Sequence, residues 1–385
     1  MTTGDWKACT GSAMGTPMSI ATPIAEGTRL NHVQALRGLA ALLVLLAHMA
    51  QVEIRGTDRT ILPESFDWGM MGVDLFFVIS GFIMVFVTRN WRENHLHDRL
   101  ARVGEFLFAR VTRIYPLYWI VTLALFMVWM LRPDMVFSSS PNEPQIFNTV
   151  FLVPAYAYPL LEVGWTLVYE MGFYLLFGLL LLAPARWRPW GLLAWAAITL
   201  TGNLSGWQTG SAIAFHAFNP LVFEFLAGAA TGLIFLRIKG DRIYGAILLA
   251  IGLAGLFMWF FSAVPFQDGW PRVLCLTLPS CAVLLGAAWM DRAGLRAPRF
   301  MVHLGDWSYA LYLTHLLTLV LVARLWRKAG LEDVPSIVLL VVMGVAAILV
   351  AALTYRLIER PLLTLAKASR KRLFKERPSA APAAR

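Results

Sequence analysis

The chain has 385 residues, 58% of them hydrophobic and 15% charged, with a mean hydropathy of +0.63. A water-soluble domain is about half apolar and a quarter charged, so this composition excludes a soluble enzyme, and it excludes a disordered chain as well. The net charge of +10 resides on basic residues set between long apolar runs, which is the pattern of membrane orientation and not of a nucleic-acid groove.

Residues 1–30 form a polar tail without the basic region and apolar core of a cleavable signal. Spanning the hydrocarbon takes about 17–25 apolar residues. Ten runs approach that length: 33–52, 69–88, 114–131, 164–183, 189–204, 216–236, 243–262, 271–290, 306–324 and 336–357, the fifth being short. The segment 145–160 is apolar but broken by Pro154 and Pro159, which predicts a re-entrant or interfacial piece. With the N-terminus placed in the cytoplasm, 26 of the 33 basic residues fall in inside segments. An all-α polytopic bundle of about ten spans with both termini cytoplasmic is therefore expected. Its domain covers 31–362, and a basic tail, 363–385, follows. The cluster Arg324, Arg327 and Lys328 is the discordant spot. The three cysteines, Cys9, Cys275 and Cys281, show no ligand spacing, and no metal site is expected.

Ionisable groups inside spans are costly and are functional candidates by default. On the first span, Arg37 and His48 are eleven residues apart, roughly 20° apart around a helix and roughly 16 Å along it. One face thus carries a cation near the inner surface and an imidazole toward the outer side. An imidazole there can act as general base on an alcohol; its bland alternative is a ring bonded to a backbone carbonyl. Asp74, near the start of the second span, is expected at a similar depth, where it either orients His48 or sits wet at a helix N-terminus. Arg110 and Arg113 share a helix face and suit phosphate, although an inside loop collects arginines in any case. Span four opens with Trp165, Thr166, Tyr169 and Glu170. Glu170 is expected near His48, and Trp165 suits a sugar ring or an interfacial belt. Tyr309, Tyr312 and His315 make a stripe on span nine, a tunnel wall or a hydrogen-bonded seam. Glu224 is buried in span six with no assignable partner, and Glu359 reads as an ion pair with Arg356.

Taken together, these segments resemble the membrane acyltransferase family 3. The match lies in Gln34-Ala35-Leu36-Arg37-Gly38 with His48, in Gly72 through Phe82, in Arg110 through Pro116, in Trp165 through Glu170 and in Ser308 through His315. The resemblance implies a multi-span enzyme moving an acyl group, usually acetyl, from cytoplasmic acyl-CoA to a hydroxyl of an exported carbohydrate or glycolipid. It implies His48 as the essential histidine, matches Glu170 to the family's span-four acid and strengthens the catalytic reading of Asp74; Asp74 or Glu170 is expected to hold the His48 ring in the tautomer a base needs. Arg37 matches the family's Arg–His motif, and Arg110 and Arg113 match its inner-loop pair, credited with contacting the CoA phosphates; Arg37 is expected to join them, and Trp165, Tyr169 and His315 are expected toward the acceptor. Acyl-CoA is then a co-substrate, no cofactor is held permanently, and the location is the bacterial inner membrane among its lipids. Self-association into a homo-oligomer is left open. The rival from another class is a glycan or lipid exporter, since buried charges also line transport pathways.

Overall fold

The computed structural model describes residues 29–57, 60–91, 95–133, 136, 145–262, 266 and 268–374. Expectations for the rest of both tails lie outside the described residues. Every regular element among those described is helical. In chain order they are α1 (Asn31–Gly56), α2 (Met71–Val87), α3 (Leu96–Leu131), α4 (Ile146–Phe151), α5 (Trp165–Leu181), α6 (Arg188–Leu204), α7 (Ala212–Ala217), α8 (Val222–Arg237), α9 (Arg242–Phe260), α10 (Trp270–Arg292), α11 (Arg299–Lys328), α12 (Ser336–Thr354) and α13 (Arg360–Leu373).

Nine stretches among the described residues are long and apolar enough to cross a membrane; α6, at 17 residues, falls just short. Packing direction decides its status. Gly38 of α1 lies against Gly305 of α11, the His48 ring against the His315 ring, and Gly56 against Ala323. All three contacts keep one register, so α1 and α11 run parallel. Between them lie only six of the nine stretches, which would make the two antiparallel. A seventh crossing is required, and α6 supplies it. The α2–α8 pair agrees, because Val78 meets Gly228 and Val85 meets Gly232, again a parallel pair. Ten crossings result, and the start of α1 and the end of α13 emerge on one face, called the basic face below.

Close approach of backbones sets this packing. A Cβ on Gly305 would lie 1.9 Å from the Gln34 carbonyl, and one on Gly81 would lie 1.9 Å from that of Phe225. Small residues let membrane helices touch main chain to main chain, where dispersion and not water exclusion drives association. At the basic face, Asp291, in the last turn of α10, accepts the backbone N–H groups of His32 at 2.9 Å and Val33 at 3.3 Å, capping the free N-terminus of α1.

Three boundaries differ from the hydropathy pattern for one reason. Helix α3 begins at Leu96, not near 114, because its arginine-rich first half is helical without being apolar. Helix α11 continues to Lys328, so Arg324, Arg327 and Lys328 are its last turns. Helix α12 passes through a π-helical stretch, Tyr355–Glu359, into amphipathic α13, which carries Lys367, Arg370, Lys371 and Arg372. Short α4 folds back against α3, where the Tyr115 and Tyr118 hydroxyls and the Trp119 indole donate to carbonyls of Phe151, Thr149 and Val150.

Candidate functional site

Two cavities enter the bundle from opposite faces. The first, about 320 Å³, opens on the basic face between α1, α2, α3, α5 and α11. Arg37, Arg110 and Arg113 line it together with Glu170. The face shared by Arg110 and Arg113 on α3 therefore points into a cavity and not simply at an inside loop. The Arg110 guanidinium lies 5.7 Å from the centre of the Tyr174 ring, and its Nε is buried with no hydrogen-bond partner among the described residues. Arg113 is ion-paired with the buried Glu359 carboxylate and lies 5.2 Å from the centre of the Tyr309 ring. Glu359 thus pairs across the bundle with α3 and not with Arg356 on its own turn.

The second cavity, about 480 Å³, opens on the opposite face. His48 lies at its wall together with Trp165 and Tyr169. The rest of its polar lining combines aromatic and amide side chains, including Tyr156, Tyr158, Asn148 and Asn219, with Asp67, Glu162, Asp268 and Arg272. The His216 ring packs 4.6 Å from that of Tyr169.

The two cavities meet end to end. Trp165 faces the far cavity and the adjoining Thr166 the basic-face one. Between them the Thr166 hydroxyl and the Tyr312 hydroxyl are 2.6 Å apart, and Tyr312 also donates to the Val163 carbonyl at 2.9 Å. Phe76 packs on the Tyr312 ring at 6.0 Å. The Tyr312–Thr166 contact thus stands between the basic-face cavity and the chamber that His48 lines.

His48 is held by its own helix. Its Nδ1 donates to the Val44 carbonyl at 2.9 Å. A carbonyl only accepts, so Nδ1 carries the proton and Nε2 keeps a lone pair, the tautomer a general base needs. The bland and the functional readings of this ring are therefore one arrangement.

Neither acid expected beside His48 is there. Both oxygens of the wholly buried Asp74 carboxylate accept from Arg272, at 2.8 Å from Nε and 2.9 Å from Nη2. A bidentate pair of that kind uses the carboxylate up, and it is neither wet nor free to orient an imidazole. Arg272, in the first turn of α10, is 2% exposed. Glu224 of α8 is buried against the same pair. Glu170 accepts from Ser80 at 2.9 Å and from Tyr174, which places it in the basic-face cavity with the arginines. His315, expected toward the acceptor, lines neither cavity; it lies edge-on against His48 with ring centres 4.9 Å apart. The stripe of α11 is thus partly wall and partly seam, since Tyr309 and Tyr312 line the first cavity while bonding to Ile114 and Val163 carbonyls.

Sequence reasoning missed Arg272, His216 and the polar lining of the far cavity. Arg272 gave no signal, because an arginine at a span boundary reads as orientation. The lining residues come from connections between spans, which carry no periodicity.

Residues 30–356 match the family model described as an acyltransferase domain. The chain is 31% identical over 318 residues to the exopolysaccharide production protein ExoZ of Rhizobium meliloti, covering 79% of this chain and 93% of that one. It is 28% identical to the putative membrane-bound transacylase BcsY of Komagataeibacter xylinus, over 74% of this chain and 72% of the relative. With the acyltransferase MdmB of Streptomyces mycarofaciens it shares 26% identity over 88% and 92% of the two chains. No solved structure matches it. With its helical membrane bundle and a family match over most of its length, the chain belongs to the membrane acyltransferase family 3 and is a multi-pass membrane enzyme that transfers acyl groups.

Proposed function

We propose that this enzyme takes an acyl group, acetyl in the simplest case, from acyl-CoA at the basic face and delivers it to a carbohydrate hydroxyl in the far cavity. The observation that carries this reading is the end-to-end meeting of an arginine-lined cavity with a chamber bordered by His48. Three guanidiniums in one cleft suit the phosphates of CoA, with Arg110 offering a buried Nε that has no hydrogen-bond partner among the described residues. The aromatic and amide lining of the far cavity suits a sugar, which presents flat apolar faces and many hydroxyls. A relative named for exopolysaccharide production points to the same acceptor class.

In the reaction, His48 Nε2 takes the proton of the acceptor hydroxyl while its oxygen attacks the thioester carbon. The carbon–sulfur bond then breaks, and the departing thiolate recovers the proton from Nε2. For the thioester to reach His48, the Tyr312–Thr166 contact opens and the slender pantetheine arm passes through. The preponderance of basic residues on one face supports a cytoplasmic side for that face in a bacterial inner membrane, the side on which acyl-CoA is available.

Purified protein given labelled acetyl-CoA and a glycan acceptor tests this. Wild type should release CoA and form a base-labile ester, and His48→Ala should fall by about 10²–10⁴-fold with its fold intact. Undiminished ester formation by His48→Ala would remove the base from the scheme.

A further inference from the structure

A third cavity, about 680 Å³, has no part in the route from donor to acceptor. It lies on the basic face, between the ends of α2, α5 and α8 and the start of α6. Helix α2 stands between it and the arginine-lined cavity of the acyl route, since Met84 and Val87 line that one while Val85 and Thr88 line this one. Its origin is the loose packing of α6, which has 17 residues and buries only Leu192, Thr199 and Gly202. The space left inside the first turns of α6 is this cavity.

Four arginines line it, Arg89, Arg186, Arg188 and Arg237, and no carboxylate does so among the described residues. Two of them are tied to helix ends, Arg89 donating to the Phe86 carbonyl at 2.6 Å and Arg188 to that of Trp91 at 2.9 Å. The other two are exposed and come from different elements, Arg186 from the connection before α6 and Arg237 from the last turn of α8. Farther into the helices the wall is apolar, with Val85, Phe177, Leu180, Leu192 and Leu233. Trp187 and Trp190, beside the cavity, are exposed, and exposed tryptophans at the ends of spans mark the level of lipid headgroups.

A cavity that is cationic at headgroup level and apolar beneath it fits an amphiphile with an anionic head. A soluble phosphate gains nothing from the leucines, and a lipid without net charge gains little from the arginines. Basic pockets between membrane helices bind phosphate headgroups in this way, and a guanidinium fork matches the two free oxygens of a phosphodiester. We propose that this cavity is a binding site for one anionic phospholipid, its phosphodiester between Arg186 and Arg237 and its acyl chains along the apolar wall. The bound lipid fills the gap inside α6 and fastens that helix to α5 and α8. Nothing in this depends on how the acyl group is transferred.

The full-length protein, purified in detergent and stripped of lipid, is titrated with three probes and binding is read by native mass spectrometry. They are dioleoyl-phosphatidylglycerol, dioleoyl-phosphatidylcholine and glycerophosphoglycerol, the last being the anionic headgroup without its chains. Phosphatidylglycerol should stay bound and raise the thermal midpoint, because a ligand of the folded state stabilises it, and the other two should do neither. One arginine near a membrane surface corresponds to about fivefold in attraction for anionic lipid, so Arg186→Gln with Arg237→Gln should weaken binding about 25-fold. Arg296→Gln with Arg299→Gln removes two exposed charges of the same face outside the cavity and should leave binding unchanged. Equal losses in the two double variants would reduce the effect to general surface attraction and overturn the proposal. Phosphatidylcholine or glycerophosphoglycerol held as tightly as phosphatidylglycerol would overturn it too, as would displacement of the lipid by acetyl-CoA, which would give the cavity to the donor. If the first double variant does not accumulate, Arg237→Gln alone should show the fivefold loss.

Discussion

Removing the Asp74 carboxylate would take the bidentate partner from the Arg272 guanidinium, which is 2% exposed, and leave it the solvent-facing Asp268 and the buried Glu224. Breaking a buried pair from one side destabilises by about 3–5 kcal/mol, whereas replacing both partners with apolar groups is often neutral. Asp74→Ala is therefore expected to lower the thermal midpoint and the yield of monodisperse protein. The double variant Asp74→Leu with Arg272→Met is expected to regain most of both. A fully stable but inactive Asp74→Ala would return this carboxylate to the chemistry. The sequence made Asp74 visible as a costly buried charge but not its partner, 198 residues away in the chain. Glu359 illustrates the same limit, because the basic residue three positions before it on the helix is Arg356 while its bonded partner is Arg113. Local spacing registers neighbours on one helix. A pairing across the bundle leaves no trace in one sequence.

The element that brings the two histidines together is the α1–α11 pair, and its tolerance is small. Methyl-sized bulk at Gly305 would sit 1.9 Å from the Gln34 carbonyl, a rigid backbone atom that cannot turn aside. Gly305→Ala should therefore push the helices apart, separate His48 from His315, and lower both activity and thermal midpoint. Gly172→Ala in α5 is the control: nothing lies within 4 Å of the added carbon, and helix propensity alone favours alanine by about 1 kcal/mol. Equal behaviour of the two variants, read by acyl transfer and thermal unfolding, would show that close packing at Gly305 is not required. The existence of most spanning helices was legible because lipid demands long apolar runs. Arginine-rich ends such as the first half of α3 were not, since hydropathy reports what faces lipid and not what is helical. Partner choice among helices was not legible either, because glycines that allow contact resemble glycines that merely interrupt a run.

At the scale of the whole molecule, an even number of crossings is what lets one cavity face each side of the membrane with α1 and α11 parallel between them. That arithmetic turns on α6, the helix that length alone leaves in doubt. If α6 only lay along a surface, the elements after it would be inverted and the observed parallel registers of α1 with α11 and α2 with α8 would be lost. Single cysteines on either side of it test the topology in a background lacking Cys9, Cys275 and Cys281. Ala185, before α6, and Ser205, after it, are both exposed and replaceable with little change in volume. In intact cells a membrane-impermeant thiol reagent should label Ser205→Cys and should reach Ala185→Cys only after permeabilisation, as the proposed cytoplasmic side of the arginine-rich connections requires. The opposite pattern would keep ten crossings but invert the enzyme, putting the arginine cavity where no acyl-CoA is available. Labelling of both from the same side would make α6 a surface helix and dismantle the two-sided route between donor and acceptor.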